Sequence, residues 1–424
     1  MKVKRLKINS FRGIGDLTLE FLPDLPTVLV GINSTGKSSI LDCLAILFSH
    51  FVAEIQDPIG IGRFSNEQEI SQEQKVTRRF FRLEDITQGK KKTENEITID
   101  LDNQEISWFL SLAQVEGRIK PVISSDVRKL QGACLKIKNN LRGNPEVNLP
   151  LPVYYHVNRE FCDDIPRETL EQHWSERLDV YNQALTGVRI SFRSFFDWFK
   201  ELEDLENELR RDNPDYRDRQ LEAVRHAISS MLDGFSDLRV RRVPLCLSVR
   251  KNDQELIIDQ LSEGEKGLLA LAGDLARRLA LANPYLAYPL QGSGVILIDE
   301  IELHLHPQWQ RRIIPKLTKT FPNCQFIVTT HSPQVIRDLH PESIYLLEET
   351  GEGVIVRKPT SSLEQDMNSI VAELMGISAN SLAIKDHLVE LFRLIEKGEL
   401  EAARKLQLQI AEEIGVDIPK LAKA

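Results

Sequence analysis

Four residues in one eight-residue span carry the first chemistry. Gly31, Gly36, Lys37 and Ser38, in GINSTGKS, meet the spacing G-x-x-x-x-G-K-[ST]. Glycines at those positions let a loop curl around phosphate, and the backbone N–H groups of Asn33, Ser34, Thr35 and Gly36, running into a helix at Lys37, Ser38 and Ser39, offer it positive potential. Lys37 is the residue type that reaches β- and γ-phosphates, and the Ser38 hydroxyl is a ligand for Mg²⁺. A second pair of oxygens stands at Asp299-Glu300, closing the apolar run GVILIDE. There Asp299 would hold Mg²⁺ and Glu300 would orient and polarise a water for attack on phosphorus. A third group, His331 in FIVTTHSP, ends another apolar run, where an imidazole is able to contact a γ-phosphate. Together these point to ATP and Mg²⁺ as ligands.

The elements that must hold these groups follow from periodicity. TVLV, GVILID and QFIVTT are short apolar runs and read as buried strands, so their C-terminal ends lie on the edge where open α/β sheets bind ligands. KVKRLKINSF and DLTLEFL alternate with period two and read as an antiparallel hairpin-like unit. NEITIDL, LPVYYHV, VPLCLSV and ELIID read as further strands, QGKKKTEN as a loop, and 107–150 gives no clear pattern. Phe195, Trp198, Leu202, Leu205 and Leu209 recur at near 3.5 spacing. With the run from Tyr216 they predict a helical hairpin whose seam is too short for a long coiled coil. The last sixty residues read as helical.

Ser262-Glu263-Gly264-Glu265 opens an amphipathic helix. Ser262 fits an N-cap and Glu265 completes a capping box, but Gly264 is costly in a first turn unless something must approach the backbone closely. His304 and His306 have i, i+2 spacing without a third metal ligand; with Pro307 as a first helical residue they read as a structured turn near a subunit boundary.

Composition sets outer limits. A chain of 424 residues, 42% hydrophobic and 28% charged, is long enough for two or three domains around a sizeable core. The most apolar stretch, near Leu268–Leu281, is interrupted by Asp274, Arg277 and Arg278, so no membrane span is expected. Five scattered cysteines fit free thiols in a reducing cytoplasm, and a net charge of −9 argues against a general nucleic-acid coat.

In order along the chain, the loop at 31–38, LSEGEK, Asp299-Glu300 and His331 resemble the nucleotide loop, signature, catalytic carboxylates and switch histidine of ABC-type ATPases. The family signature is Leu-Ser-Gly-Gly-Gln, from which this chain departs at Glu263 and Glu265. Phe11-Arg12-Gly13 and the strand before it are similar to the SMC, RecF and OLD-like branch. Length and the short insertion set aside full SMC proteins. The absence of Asp-x-Asp after His331 sets aside OLD nucleases; the one such pattern, Asp100-Leu101-Asp102, ends an upstream strand. LHPQWQ and the helical C-terminus resemble stand-alone AAA-15-type ATPases, most of all the PtuA type of Septu and Septu-like retron anti-phage systems.

The resemblance implies an α/β ABC-type ATPase head, with mixed and parallel sheets flanked by helices, a short helical insertion and a helical C-terminal region. It divides the chain into an N-terminal lobe (1–158), the insertion (159–235), a C-terminal lobe (236–360) and a partner-binding or oligomerisation region (361–424). It implies a homodimer or higher oligomer in which Ser262, Gly264 and Glu265 of one copy cap ATP held by another. It further implies an effector nuclease of the HNH type as partner, with a retron reverse transcriptase and nucleic acid as further ones, and no membrane. Gln88 is the candidate for a Mg²⁺-sensing glutamine or is an ordinary loop residue; Arg159 approaches the nucleotide or closes a strand-end salt bridge. The competing class is a RecF-type repair clamp that binds DNA through Lys90–Lys92, Arg78-Arg79-Arg82 and Arg239/Arg241/Arg242, each of which reads equally as a solvated face.

Overall fold

Strand β3 (Thr27–Val30) is buried at every residue, and this sets the architecture around it. In the computed structural model, residues 1–32, 34–56, 78–114, 122–144, 147–157, 161–162, 177–187, 190–351 and 353–358 are described. The chain divides into two compact units, Met1–Lys358 and Pro359–Ala424; the second, with the helices expected there, lies outside the described residues, as do Asn33 and Arg159.

β1 (Lys2–Phe11) and β2 (Ile14–Glu20) form the expected hairpin, with Leu6 opposite Leu19 and Ile8 opposite Leu17. They join β4 (Lys92–Leu101), β5 (Gln104–Ala113) and β6 (Val122–Asp126) in an antiparallel sheet ordered β2-β1-β4-β5-β6. The β4–β5 turn uses Asp102 and Asn103 at φ of 52° and 62°, the left-handed pair of a two-residue hairpin. So Asp102 is a turn residue, and the strand begins at Lys92, inside the stretch expected to be loop.

The other large sheet has the order β16-β15-β3-β14-β13-β7. Its strands are β7 (Leu151–Tyr155), β13 (Gly294–Ile298), β14 (Cys324–Thr330), β15 (Ile344–Thr350) and β16 (Gly353–Arg357) besides β3. All neighbours are parallel except the edge pair β15–β16. Parallel strands covered on both faces need continuous apolar runs, which is what TVLV and GVILI supply.

Helix α1 (Lys37–Gln56) packs against β4 of one sheet and β7, β13 and β14 of the other. Trp108 of β5 donates its indole N–H to the Leu47 carbonyl at 3.1 Å. The sequence placed the most apolar helical run at 268–281. Among the described residues it is instead α1 that is long and apolar enough to cross a bilayer, and most of it is buried between the two sheets. Helix α2 (Arg128–Gly143) covers α1 with Leu130, Ala133, Cys134 and Ile137. Cys43, Cys134, Cys246 and Cys324 are free thiols.

β8 (Phe161–Cys162) and β9 (Ile190–Ser191) form a short ladder before α3 (Phe192–Leu209) and α4 (Arg219–Met231). The α3 seam departs from expectation. Phe195 and Trp198 are buried, but Leu205 and Leu209 are 47% and 38% exposed. Glu203 and Glu206 are buried in their place, held by Arg225 of α4 and, for Glu203, by Arg242 of β10 (Phe235–Arg242). Two paired arginines turn the helix's charged face inward. β10, β11 (Leu245–Lys251) and β12 (Gln254–Ile257) form a third antiparallel sheet, followed by α5 (Glu263–Ala282), α6 (Pro307–Thr320) and α7 (Pro333–Ile336).

Candidate functional site

Strand order brings the sequence-predicted groups together. β14 lies between β3 and β13, with Thr330 opposite Val30 and Val328 opposite Ile298. The loop after β3, the carboxylates after β13 and the histidine after β14 therefore share one sheet edge.

The loop is shaped from within. Gly36 and Ser34 have φ of 81° and 73°. A Cβ added at Gly31 would sit 2.6 Å from Thr35 Oγ1 and 2.8 Å from the Leu347 carbonyl, so the close approach there admits only glycine. Lys37 folds back and donates to the carbonyls of Gly31 at 2.9 Å and Ile32 at 2.8 Å. Burial pushes its pKa down to about 8 although Asp299, Glu300 and Glu302 favour the charged form. An ammonium held by neutral carbonyls gains stronger bonds, with donor and acceptor oppositely charged, when phosphate oxygens replace them.

Ser38 Oγ donates to Asp299 Oδ1 at 3.0 Å, across 261 residues of sequence. Thr329 Oγ1 donates to the same oxygen at 2.6 Å and accepts the Glu300 N–H at 2.7 Å. Glu300 sits at φ 45°, a left-handed position that costs a non-glycine residue about 1–2 kcal/mol and is held by those bonds. Its Oε1 lies 3.8 Å from His331 Nε2, and Glu302 Oε1 accepts the His331 N–H at 2.5 Å. A hydroxyl beside a buried carboxylate is a set of hard oxygen donors, and Ser38 with Asp299 fits Mg²⁺ by that chemistry. Thr329 and Glu302 escaped the sequence reading. The available signal was weak: Thr329 and Thr330 are two hydroxyl residues closing the apolar run QFIVTT, and nothing marked Glu302.

Ser262 caps α5 as expected. Its Oγ accepts the Glu265 N–H at 3.4 Å, and Glu265 Oε2 accepts the Ser262 N–H at 3.0 Å. Glu265 also pairs with Lys251 of β11 at 2.6 Å. Burial opposes its ionisation, but Lys251 and Ser262 outweigh that and hold the carboxyl below its usual range. Gly264 has a reason inside its own chain: an added Cβ would lie 2.5 Å from the His304 carbonyl. His304 is left-handed at φ 61°, and His306 caps α6 by accepting the Gln308 N–H. Between the two helix starts runs a groove of about 460 Å³ lined by Ser262, Gly264, Glu265, His304, His306 and Trp309. Among the described residues no hydrogen bond or ion pair joins Ser262, Gly264 or Glu265 to residues 31–39.

Gln88 is exposed on a turn fixed by Thr87 N–H to Ser10 O and Lys90 N–H to Thr87 O; among the described residues no hydrogen bond joins it to Ser38 or Asp299. Arg12 of the Phe-Arg-Gly motif ties the β1–β2 turn to Asp42 of α1 and to Asp85. Most arginines of the basic clusters are matched by carboxylates: Arg78 by Glu54, Arg79 by Asp42, Arg239 and Arg241 by Glu255, and Arg242 by Asp204.

A family model described as AAA ATPase domain matches residues 1–233, and an AAA domain model named after the AbiEii toxin of type IV toxin–antitoxin systems matches residues 166–337. The chain is 32% identical over 412 residues to "Retron Ec83 probable ATPase" of Escherichia coli, covering 82% of this chain and 72% of that one. It is 27% identical to "Retron Vc95 probable ATPase" of Vibrio cholerae, over 94% of this chain and 83% of the other. It is 24% identical to the Septu protein PtuA of Bacillus mycoides, over 82% of this chain but 41% of that protein. The SMC head domain from Thermotoga maritima is 16% identical, at a TM-score of 0.44, over 85% of this chain and 99% of that one.

Proposed function

The chain belongs to the AAA ATPase-domain family and is homologous to retron ATPases, and we propose that it is an ATP-operated switch for a separate nuclease in a retron- or Septu-type anti-phage system. It is an ATPase. In this reading two copies close on two ATP molecules in the cytoplasm. Lys37 binds the β- and γ-phosphates as the N–H groups of 33–39 cradle them. Ser38 and Asp299 would hold Mg²⁺, which would supply charge neutralisation there. Glu300 orients the attacking water and accepts its proton. Thr329 and His331 keep that carboxylate aimed, and His331 faces the γ-phosphate. Ser262 and Gly264 of one copy reach the γ-phosphate bound by the other, with Glu265 held back by Lys251. Hydrolysis removes the shared contact and loosens the pair, the kind of two-state change that a bound effector is able to read.

Within this proposal the head comprises lobes 1–158 and 236–360, the insertion 159–235 lies between them, and 361–424 or the insertion holds the partner, an HNH-type nuclease. Asp299 carries the reading: one carboxylate oxygen joins the phosphate loop through Ser38 and the catalytic turn through Thr329. The alternative, a clamp that grips DNA by its basic clusters, has little to support it, because the arginines of those clusters are largely spent in ion pairs.

Glu300→Gln keeps the shape and removes the base. Expected are turnover lowered at least about 100-fold, ATP still bound, and a particle of twice the chain mass by light scattering with ATP and Mg²⁺. A mass of one chain with and without nucleotide would remove the shared-site reading.

A further inference from the structure

Tyr155 touches both ends of the machinery. It closes β7, next to β13, and its carbonyl accepts the Asp299 N–H at 2.9 Å. Its hydroxyl donates to Asp274 Oδ2 at 2.9 Å, on the helix that starts at Ser262. Tyr155 and Asp274 are 4% and 1% exposed. Asp274 is also bound by Arg278 at 2.7 Å and Arg277 at 3.0 Å, and Arg278 donates onward to the Val180 and Asn182 carbonyls. Burial disfavours the charged carboxyl, but the two arginines and the tyrosine hydroxyl overcome it, and Asp274 stays ionised with its pKa down to about 2.

Such a cluster is a poor source of stability, since desolvating three charges offsets much of their attraction. It does fix geometry. Twelve residues of helix, about 18 Å, separate Asp274 from Ser262, so α5 carries any shift at Asp274 to its N-terminus as a rigid rod.

We propose that Tyr155 is a positioning residue that couples Asp299, in the nucleotide site of its own chain, to the placement of the signature helix α5. This rests on the shared-site reading above. A displacement at the end of β13 moves the Tyr155 backbone; the hydroxyl passes it to Asp274, and Ser262 is presented to the second copy or withdrawn.

The test is a double-mutant cycle on the full chain with Tyr155→Phe, Ser262→Ala and both, reading ATP affinity, turnover at saturating ATP, and thermal midpoint. Expected for Tyr155→Phe is ATP affinity within twofold of the parent and turnover reduced tenfold or more. The double variant should be no worse than Ser262→Ala, because both changes disable one contact. Wild-type turnover in Tyr155→Phe, or losses that multiply in the double variant, overturns the coupling. If Ser262→Ala alone turns over ATP at the parent rate, it is the shared site that fails. A second measurement holds if Tyr155→Phe folds poorly: hydrogen exchange of residues 262–266 should respond to ATP in the parent and not in a Tyr155→Phe sample at reduced temperature. An equal response in both overturns the proposal.

Discussion

His50 lies on α1 at 2% exposure, with Nε2 3.0 Å from the Arg79 carbonyl and its ring edge-on to Phe80. Burial, helped by the Arg78 charge, pushes its pKa down to about 3 despite the carbonyl bond. An unfolded chain would take up a proton near the ordinary 6.5. Between those two values the unfolded state binds more protons, so the stability this histidine contributes is present above 6.5 and lost as pH falls toward 3. The slope from one group is at most about 1.4 kcal/mol per pH unit. We expect urea midpoints to fall between pH 7 and pH 4.5, and His50→Gln, which is able to donate to the same carbonyl, to flatten that fall. A variant with the parent's pH slope would show that other groups govern it. Single residues were unevenly legible. Lys37, Ser38 and Asp299 stand out as candidates because phosphate and metal chemistry would demand fixed types at fixed spacing. His50 and Glu203 do not, because only neighbours distant in sequence decide whether a polar side chain is buried.

At the scale of elements, the start of α5 sets two effects against each other. Alanine at position 264 should favour a helix by about 1 kcal/mol over glycine. Its Cβ would also lie 2.5 Å from the His304 backbone carbonyl, and forcing a packed backbone apart costs about 1–3 kcal/mol. The loop cannot retreat freely, since the Ile301 N–H is bonded to the Thr329 carbonyl at 3.0 Å. We expect Gly264→Ala to lose about 1 kcal/mol in urea unfolding and most of its turnover. An alanine variant as stable and active as the parent would show that residues 300–306 yield without cost. The cap at Ser262 and the helix start at Pro307 were readable because both are settled within four residues. The α3 seam was readable only to Trp198; beyond it Arg225 and Arg242 decide which face is inside.

At the scale of the whole molecule, a shared site makes a prediction about mixtures. In a pair built from one Lys37→Ala and one Ser262→Ala chain, one composite site has both defects and the other has none. Random pairing of equal amounts should then restore about a quarter of parental turnover, where each variant alone shows almost none. Activity that stays at the level of the separate variants would place each site within one chain. What the amino-acid order determined by itself was the set of motifs, their succession and their local caps, because loop curvature, helix starts and strand periodicity are settled by near neighbours. Tertiary structure alone decided that β14 lies between β3 and β13, that Thr329 and Glu302 tie the turn after β13 to the end of β14, and that Tyr155 meets both Asp299 and Asp274. Those contacts join residues tens to hundreds of positions apart, and hydrogen-bond chemistry of that range exists only after parallel pairing has set the strands side by side.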